Sequence, residues 1–123
     1  MSEAAELQVL KILVVEDESI VSFLIEDTLM LLGCGEVWHA GAIAEALTLL
    51  QDRKPDAAVL DVNLSGMPVY PVAERLAALG VPFVFATGYG RNGLAPEWRD
   101  RPVIQKPFDE NTLVGGLTQA LAG

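Results

Sequence analysis

Five short apolar runs, separated by stretches with helical spacing, constrain the fold of this chain more than any other feature of its sequence. The runs are rich in Val, Ile and Phe, and they cover residues 11–16, 36–40, 57–62, 82–87 and 102–106. Each has the length of a strand, and several are apolar throughout, which indicates a sheet covered on both faces. Strands that alternate with helices form βαβ units with right-handed crossovers. The sequence therefore predicts an α/β fold with a doubly wound, five-stranded parallel sheet.

Helix-like spacing of apolar residues follows the first, second, third and fifth runs, over residues 19–32, 42–53, 68–79 and 109–122. In the first of these stretches, Ser19 is expected as the N-cap and Gly33 as the stop signal. Its predicted core-facing residues are Val21, Leu24, Thr28, Leu31 and Leu32. The gap after the fourth run, residues 88–101, contains three glycines and Pro96, and it predicts only a weak or shortened fourth helix.

Length and charge limit the classes of protein to consider. The chain has 123 residues, the size of one domain, and we expect a short lead-in over 1–8 followed by a single domain over 9–122. Acidic residues outnumber basic ones by 17 to 8, and the net charge of −9 argues against nucleic-acid binding. Because no apolar run suits a membrane span and the N-terminus lacks an export signal, we expect a cytoplasmic protein without membrane contact. The single cysteine, Cys34, excludes a disulfide framework.

Chemically active residue types follow four of the five apolar runs. In an open parallel sheet, binding sites form beyond the carboxyl ends of the strands, so these residues should meet at one edge. One carboxylate at a strand end is commonly a turn former or a helix cap, but such residues on four strand ends together indicate a site. They are Glu16 and Asp17 at the end of the first run, Asp61 and Asn63 at the end of the third, Thr87 at the end of the fourth and Lys106 at the end of the fifth.

These residue types suit phosphoryl transfer that depends on Mg²⁺. Crowded carboxylates repel one another unless they are protonated or neutralised, and Mg²⁺ is typically bound by one or two carboxylates together with waters and phosphate oxygens. With the cation bound, a carboxylate oxygen of Asp61 can attack a phosphoryl group and form an aspartyl phosphate. Lys106 can then neutralise part of the phosphoryl charge, and the Thr87 hydroxyl can donate a hydrogen bond to it.

Four segments, "ILVVEDE", "AVLDVNLSGMP", "FATG" and "QKPF", resemble the receiver domain of bacterial two-component response regulators over about residues 9–122. The resemblance implies a flavodoxin-like strand order of 2-1-3-4-5 and phosphorylation of Asp61 by a partner histidine kinase. It implies Mg²⁺ bound by Asp17, Asp61 and the main-chain carbonyl of Asn63, with Glu16 acting through water.

The same resemblance implies that Thr87 and Lys106 contact the phosphoryl group and that the bond between Lys106 and Pro107 is cis. Pro68 resembles the proline that begins the third helix in this family. Self-phosphorylation from a phosphodonor and autodephosphorylation would be the only reactions of such a domain, so we do not expect an enzyme in the ordinary sense.

Two departures from the usual receiver pattern point to one subfamily. Receivers usually carry Tyr or Phe on the fifth strand, three residues before the lysine, where this chain has Val103. Their fourth helix also usually begins soon after the threonine, where this chain has glycines. The segment "PFVFATGY" over 82–89 resembles the Pro-Phe-x-Phe-Ala-Thr-Gly-Tyr ("FAT GUY") subfamily of single-domain or anti-sigma-linked receivers, paired with kinases of the HWE/HisKA2 type. In this subfamily Tyr89 is the natural replacement for the missing aromatic residue. We therefore expect a phosphorylation switch formed by Thr87, Gly88, Tyr89 and Pro107.

Gly88, Gly90 and Gly93 also spell G-x-G-x-x-G, the glycine pattern of dinucleotide-binding loops. Such a loop should follow the first strand and open a strong helix, whereas this one follows the fourth run and precedes Pro96. We interpret Gly90 and Gly93 as residues that leave a switch loop loose, rather than as phosphate contacts.

The first helix is more apolar than burial of one face requires. Ile20, Phe23 and Met30 lie beside its predicted core face, with Asp27 among them. One interpretation is a wide core face, and the other is a docking surface for the helices of a histidine kinase or phosphotransferase. Because no output domain is expected, we also expect the signal to reach a downstream protein partner by direct contact.

Two further classes of function stay as alternatives to a phospho-accepting receiver. A phosphatase of the haloacid-dehalogenase type also uses an Asp nucleophile, but its motif resembles Asp-x-Asp after the first strand, whereas here Asp61-Val62-Asn63 follows the third. A degenerate receiver would bind partners without phosphorylation. The presence of all four of Asp17, Asp61, Thr87 and Lys106 favours the phospho-accepting receiver.

Overall fold

A central parallel sheet organises the protein, whose computed structural model describes residues 10–122; the predicted lead-in over 1–8 lies outside the described residues. Within residues 10–122 the sheet has five strands, which are β1 (Lys11–Val15), β2 (Glu36–Ala40), β3 (Ala57–Asp61), β4 (Phe83–Thr87) and β5 (Val103–Gln105). All four neighbouring pairs are parallel, and the spatial order is β2-β1-β3-β4-β5. The predicted doubly wound sheet and its strand order are confirmed.

Helices cover both faces of the sheet, as the apolar strands predict. In the described part of the chain they are α1 (Ser19–Leu31), α2 (Ile43–Asp52), α3 (Tyr70–Ala78) and α4 (Glu110–Ala122). Alternate residues of β1 enter two separate core clusters, with Leu13 packing toward α2 and α3 and Ile12 toward α1 and α4. Between residues 10 and 122, none of the helices combines the length and apolar character that a membrane crossing requires.

The orientation of α1 differs from the sequence-based prediction. Its buried residues are Ser22, Ile25 and Leu29, whereas the predicted core residues Leu24 and Leu31 are exposed, Leu31 by 81%. Apolar side chains occur nearly all round this helix, so their spacing could not identify the buried side.

Of the two predicted ends of α1, the stop at Gly33 is confirmed and the N-cap at Ser19 is wrong. Glu18, not Ser19, occupies the N-cap position, and no side chain there makes a capping bond, whereas Gly33 follows the helix with a φ of 91°.

The fourth helix is shortened, as predicted, to two 3₁₀ turns within the described chain, Gly90–Gly93 and Pro96–Trp98. Trp98, in the second of these turns, is buried in the core with only 8% of its surface exposed, a contact that the composition of the segment did not predict. The looseness of the loop at Gly90 and Gly93 stays a prediction. The Trp98 ring stacks on Tyr70 at a centroid distance of 6.0 Å, and the Tyr70 hydroxyl accepts a hydrogen bond from the N–H of Ala95 at 2.7 Å. Gly93 permits close packing, since a Cβ at this position would lie 2.8 Å from Thr87 Oγ1.

A small hairpin between β3 and α3 was not predicted. Asn63–Leu64 pairs antiparallel with Met67–Pro68, and the two turn residues, Ser65 and Gly66, both have positive φ, at 52° and 86°. This is the backbone pattern of a two-residue hairpin turn with the right-handed twist of its strands. Pro68 therefore belongs to the hairpin and does not begin α3, whose first turn contains Pro71.

Candidate functional site

Three carboxylates meet beyond the carboxyl ends of β1 and β3. Glu16, Asp17 and Asp61 each present one oxygen, and these oxygens lie within 4.8 Å of one another. They meet because β1 and β3 are adjacent parallel strands that place Val15 opposite Leu60, so the residues that follow emerge at the same edge. Asp17 and Asp61 line a surface cleft of about 320 Å³ together with Lys106. The structure therefore brings together residues that the sequence places on three different strand ends.

Lys106 joins the acidic cluster from the end of β5. Its Nζ lies 2.6 Å from Glu16 Oε1 and 3.4 Å from Asp61 Oδ1. Glu16 is only 1% exposed, and a buried carboxylate stays charged only when a partner compensates its lost hydration. Burial alone lowers the pKa of Lys106, but its hydrogen bond to Glu16 and its attraction to both carboxylates outweigh burial and raise that pKa. Lys106 thus brings a permanent positive charge to Asp61, and its bond to Pro107 is cis, as predicted.

The environment of Asp61 favours its neutral form. Burial is the main cause, followed by a hydrogen bond and charge repulsion with Glu16, and together they raise the pKa of Asp61 to about 7. Lys106 and the N–H of Asn63 offset only part of this effect. A cation in the cleft would favour the ionised carboxylate, because it supplies the positive charge that the protein provides incompletely.

The raised pKa of Asp61 predicts how stability depends on pH without a divalent cation. A carboxyl group whose pKa is raised on folding binds its proton more tightly in the folded state, and this stabilises the fold. The stabilisation is fully present below pH 3.8, the ordinary pKa, and is lost as the pH rises through about 7. We expect wild type to lose roughly 2–4 kcal/mol relative to Asp61→Asn over this range, and Mg²⁺ to recover part of the difference. Urea unfolding of both proteins at a series of pH values measures it. A constant difference across the range would contradict the prediction.

Asp17 is held by the unpredicted hairpin. The main-chain N–H and the hydroxyl of Ser65 both donate hydrogen bonds to Asp17 Oδ2, each at 2.9 Å. Burial acts to raise the pKa of Asp17, but the bonds from Ser65 outweigh it and the pKa lies below its ordinary value. Sequence reasoning missed Ser65, although the Ser65-Gly66 dipeptide is a turn signal that could have located it.

Asn63 lies beside Asp61 at the start of the hairpin. Its main-chain N–H donates to Asp61 Oδ1 at 3.4 Å, and its side-chain oxygen accepts a hydrogen bond from Gly66 N at 2.8 Å. The chemistry of this edge fits Mg²⁺, which prefers carboxylate and carbonyl oxygens and would relieve the repulsion among the three carboxylates.

The segment after β4 links a buried hydroxyl to an exposed ring. Thr87 is buried, and its Oγ1 accepts a hydrogen bond from the N–H of Tyr89 at 3.1 Å. Gly88 and Tyr89 line the acidic cleft, and the Tyr89 side chain is 85% exposed. Val103, where receivers usually carry an aromatic residue, lies on β5 opposite Phe85 of β4, and it packs against the core.

An apolar surface covers the outer side of α1; we call it the α1 surface. Its five exposed residues are Ile20, Phe23, Leu24, Met30 and Leu31. The interpretation of Ile20, Phe23 and Met30 as part of a wide core face is therefore wrong. Beside this surface, an apolar groove of about 300 Å³ lies between α1 and the start of α4, and Lys106 and Pro107 are among the residues that line it.

A parallel sheet of this order, with acids at the ends of β1 and β3 and a lysine at the end of β5, defines the class of receiver domains. Residues 12–118 match the family described as response regulator receiver domain, and the chain belongs to that family. The sequence-based identification of the family is confirmed.

Among curated proteins, the sensory transduction protein LytT of Bacillus subtilis is 34% identical over 111 residues, which cover 85% of this chain and 45% of LytT. The chain spans about half the length of the curated relatives that it matches. SdrG from Sphingomonas melonis Fr1 has a solution structure with a TM-score of 0.78 and 40% identity, and the match covers 100% of both chains. The BeF3-activated conformation of SdrG, from Pseudomonas melonis Fr1, has a TM-score of 0.80 and 43% identity, and the match covers 93% of this chain and 98% of that chain.

Proposed function

We propose that this receiver accepts a phosphoryl group on Asp61 from the phosphohistidine of a histidine kinase. The observation that carries the proposal is the position of Asp61 in an acidic cleft, with Lys106 Nζ 3.4 Å from its Oδ1. A nucleophilic carboxylate and a fixed cation are the two groups that phosphoryl transfer requires from the protein.

In the proposed transfer, a carboxylate oxygen of Asp61 forms a bond to phosphorus while the phosphorus–nitrogen bond of the phosphohistidine breaks. The electron pair of that bond remains on the imidazole nitrogen of the kinase. Lys106 neutralises part of the phosphoryl charge and shares its ammonium group between Glu16 and the incoming group. Mg²⁺, when bound, supplies further charge neutralisation, and the residues proposed to hold it are Asp17, Asp61 and the main-chain carbonyl of Asn63, with Glu16 acting through water.

The proposed switch begins at Thr87. A hydroxyl can accept one hydrogen bond and donate another, so Thr87 can keep the N–H of Tyr89 while it donates its own proton to a phosphoryl oxygen. Any movement of Thr87 toward the phosphoryl group is then transmitted to the main chain of Tyr89 across Gly88. Pro107 directly follows Lys106 in the chain and is proposed as a further part of the switch. A downstream protein partner would read the new position of the exposed Tyr89 ring.

Mass spectrometry after incubation with Mg²⁺ and a small phosphodonor tests this function. We expect one phosphoryl adduct, which should not form when a chelator removes Mg²⁺. In a separate unphosphorylated sample with Mg²⁺, BeF3, named in the activated SdrG structure, should shift the NMR signals of Tyr89. Unmoved signals would contradict the role of Tyr89. No adduct from either the phosphodonor or a phosphorylated kinase would favour a degenerate receiver, and continuous turnover of a phosphate ester would favour a phosphatase.

We further propose that the α1 surface docks the helices of the kinase or phosphotransferase partner. The support is its exposed apolar area and its position beside a groove that is also lined by Lys106, a residue of the candidate site. An apolar helix face and an adjoining groove suit contact with a partner helix. The resemblance of "PFVFATGY" to its subfamily favours a kinase of the HWE/HisKA2 type as this partner.

Phe23→Ala is expected to slow phosphotransfer from the kinase at least about fivefold, because truncation of an aromatic hot-spot residue at an interface costs more than about 1 kcal/mol. Phosphorylation by the small phosphodonor should be unchanged, since Phe23 lies outside the cleft. Met67→Ala is a matched control, because Met67 is exposed by 60% and Phe23 by 65%, but Met67 lies on the hairpin. Equal transfer rates to wild type and Phe23→Ala would exclude Phe23 from the docking surface.

A further inference from the structure

Ser65 occupies a turn position for which serine is an unusual choice. It is the only residue other than glycine that has a positive φ, 52°, in the part of the chain that the structure describes. Hairpin turns in which both central residues have positive φ favour Gly, Asn and Asp. A side chain kept in a sparsely populated conformation points to a function for that side chain or its backbone.

The turn directs two donors of Ser65 to a single atom of the candidate site. The main-chain N–H and the hydroxyl both bond to Asp17 Oδ2 at 2.9 Å, although the two residues are 48 positions apart in the chain. Because both bonds end on Oδ2, Ser65 does not engage Oδ1. Two bonds to one oxygen restrict rotation of the carboxylate and leave its other oxygen available for a different contact.

Asp17 depends on such support more than its acidic neighbours do. Asp61 is the last residue of β3, and Glu16 is buried and paired with Lys106 at 2.6 Å. Asp17, in contrast, lies between the end of β1 and the start of α1, and it is only partly buried. The regular structure around it therefore does not determine where its carboxylate points.

We propose that Ser65 is a positioning residue for cation binding: it orients the Asp17 carboxylate so that the cleft binds Mg²⁺ in preference to larger cations. This inference rests on the proposed function. Mg²⁺ requires nearly ideal octahedral geometry, whereas Ca²⁺ tolerates irregular ligand positions. Residues that orient metal ligands through hydrogen bonds commonly change metal affinity by about 10–100-fold when they are replaced. Loss of the Ser65 hydroxyl should therefore weaken Mg²⁺ binding more than Ca²⁺ binding.

Ser65→Gly in the full chain tests the inference by titration calorimetry with Mg²⁺ and with Ca²⁺. Glycine suits the positive φ and keeps the main-chain N–H, so this variant removes only the hydroxyl bond. We expect the Mg²⁺ Kd to rise about tenfold and the Ca²⁺ Kd by less than about threefold, with no fall in the unfolding temperature measured without cations. Ser65→Asn should recover part of the Mg²⁺ affinity, because asparagine accepts a positive φ and its side-chain amide can donate a hydrogen bond.

The two hypotheses fail in different ways. Equal losses of Mg²⁺ and Ca²⁺ affinity in Ser65→Gly, or Mg²⁺ binding as tight as in wild type, would overturn the positioning role while the proposed function stands. A wild-type protein whose Mg²⁺ titration matches that of Asp17→Asn would overturn both, because the cleft would then not be the cation site.

Discussion

Asp61→Asn is expected to abolish the phosphoryl adduct, with at least about a hundredfold less phosphorylated protein than wild type after the same incubation. Asparagine keeps the shape of the side chain, but its neutral amide replaces the nucleophilic carboxylate. Folding should not suffer, because the variant removes a buried carboxylate whose charged form is disfavoured by burial and by Glu16. Intact-protein mass spectrometry measures the adduct, and urea unfolding confirms that the variant is folded.

Asp52→Asn is the matched control for this loss. Asp52 is the last residue of α2 and is exposed, so the same chemical change there should leave the adduct unchanged. An adduct that persists in Asp61→Asn and maps to another residue by fragmentation would refute Asp61 as the acceptor. A loss of the adduct in both variants would point to a general effect of reduced negative charge.

Trp98→Ala is expected to lower the free energy of unfolding by about 3–5 kcal/mol, a large fraction of the stability of a domain of this size. Trp98 contacts three aromatic rings in the core, with centroid distances of 6.0 Å to Tyr70, 6.0 Å to Phe83 and 5.9 Å to Phe85. The guanidinium of Arg101 lies over the Trp98 ring, 5.7 Å from its centroid. Truncation would leave a cavity that the short 3₁₀ turn carrying Trp98 cannot refill. Denaturant unfolding measures the change.

The second tryptophan provides a control within the same chain. Trp38 is only partly buried on β2, an edge strand of the sheet, so Trp38→Ala should cost less, about 1–2 kcal/mol. Trp98→Phe keeps a ring in the cluster and should retain most of the stability. A loss below about 1 kcal/mol in Trp98→Ala would show that residues 88–101 contribute little to the folded core.

The sequence predicted the parallel sheet and the position of the site because both depend on short segments. Each strand appears as a local apolar run, and a residue such as Asp61 or Lys106 is located simply by following its strand to the end. The rule that parallel strands present their carboxyl ends at one edge then brings these residues together without knowledge of any contact. The family motifs led to the same positions independently.

Three features could not be obtained in this way. The exposed side of α1 was misassigned because apolar residues occur on most of its circumference, and only packing against the sheet identifies Ile25 and Leu29 as buried. The segment over 88–101 has the composition of a loose loop. Its glycines and proline do not reveal that Trp98 reaches the core. The hairpin around Ser65 has only two residues in each strand, too few for any periodicity to appear.

The sequence by itself determined the family, the order of the elements and the residues at the strand ends, because these are recorded in local runs and motifs. Only the tertiary structure decided which of those residues meet and in what state. Lys106 lies 90 residues from Glu16 in the chain, and Ser65 lies 48 from Asp17. In the folded protein, Lys106 nevertheless brings its positive charge to Glu16, and Ser65 donates a hydrogen bond to the Asp17 carboxylate. Such contacts form after strands and helices have packed, and burial beside Glu16 then raises the pKa of Asp61, which depends on distance in space and not on sequence spacing.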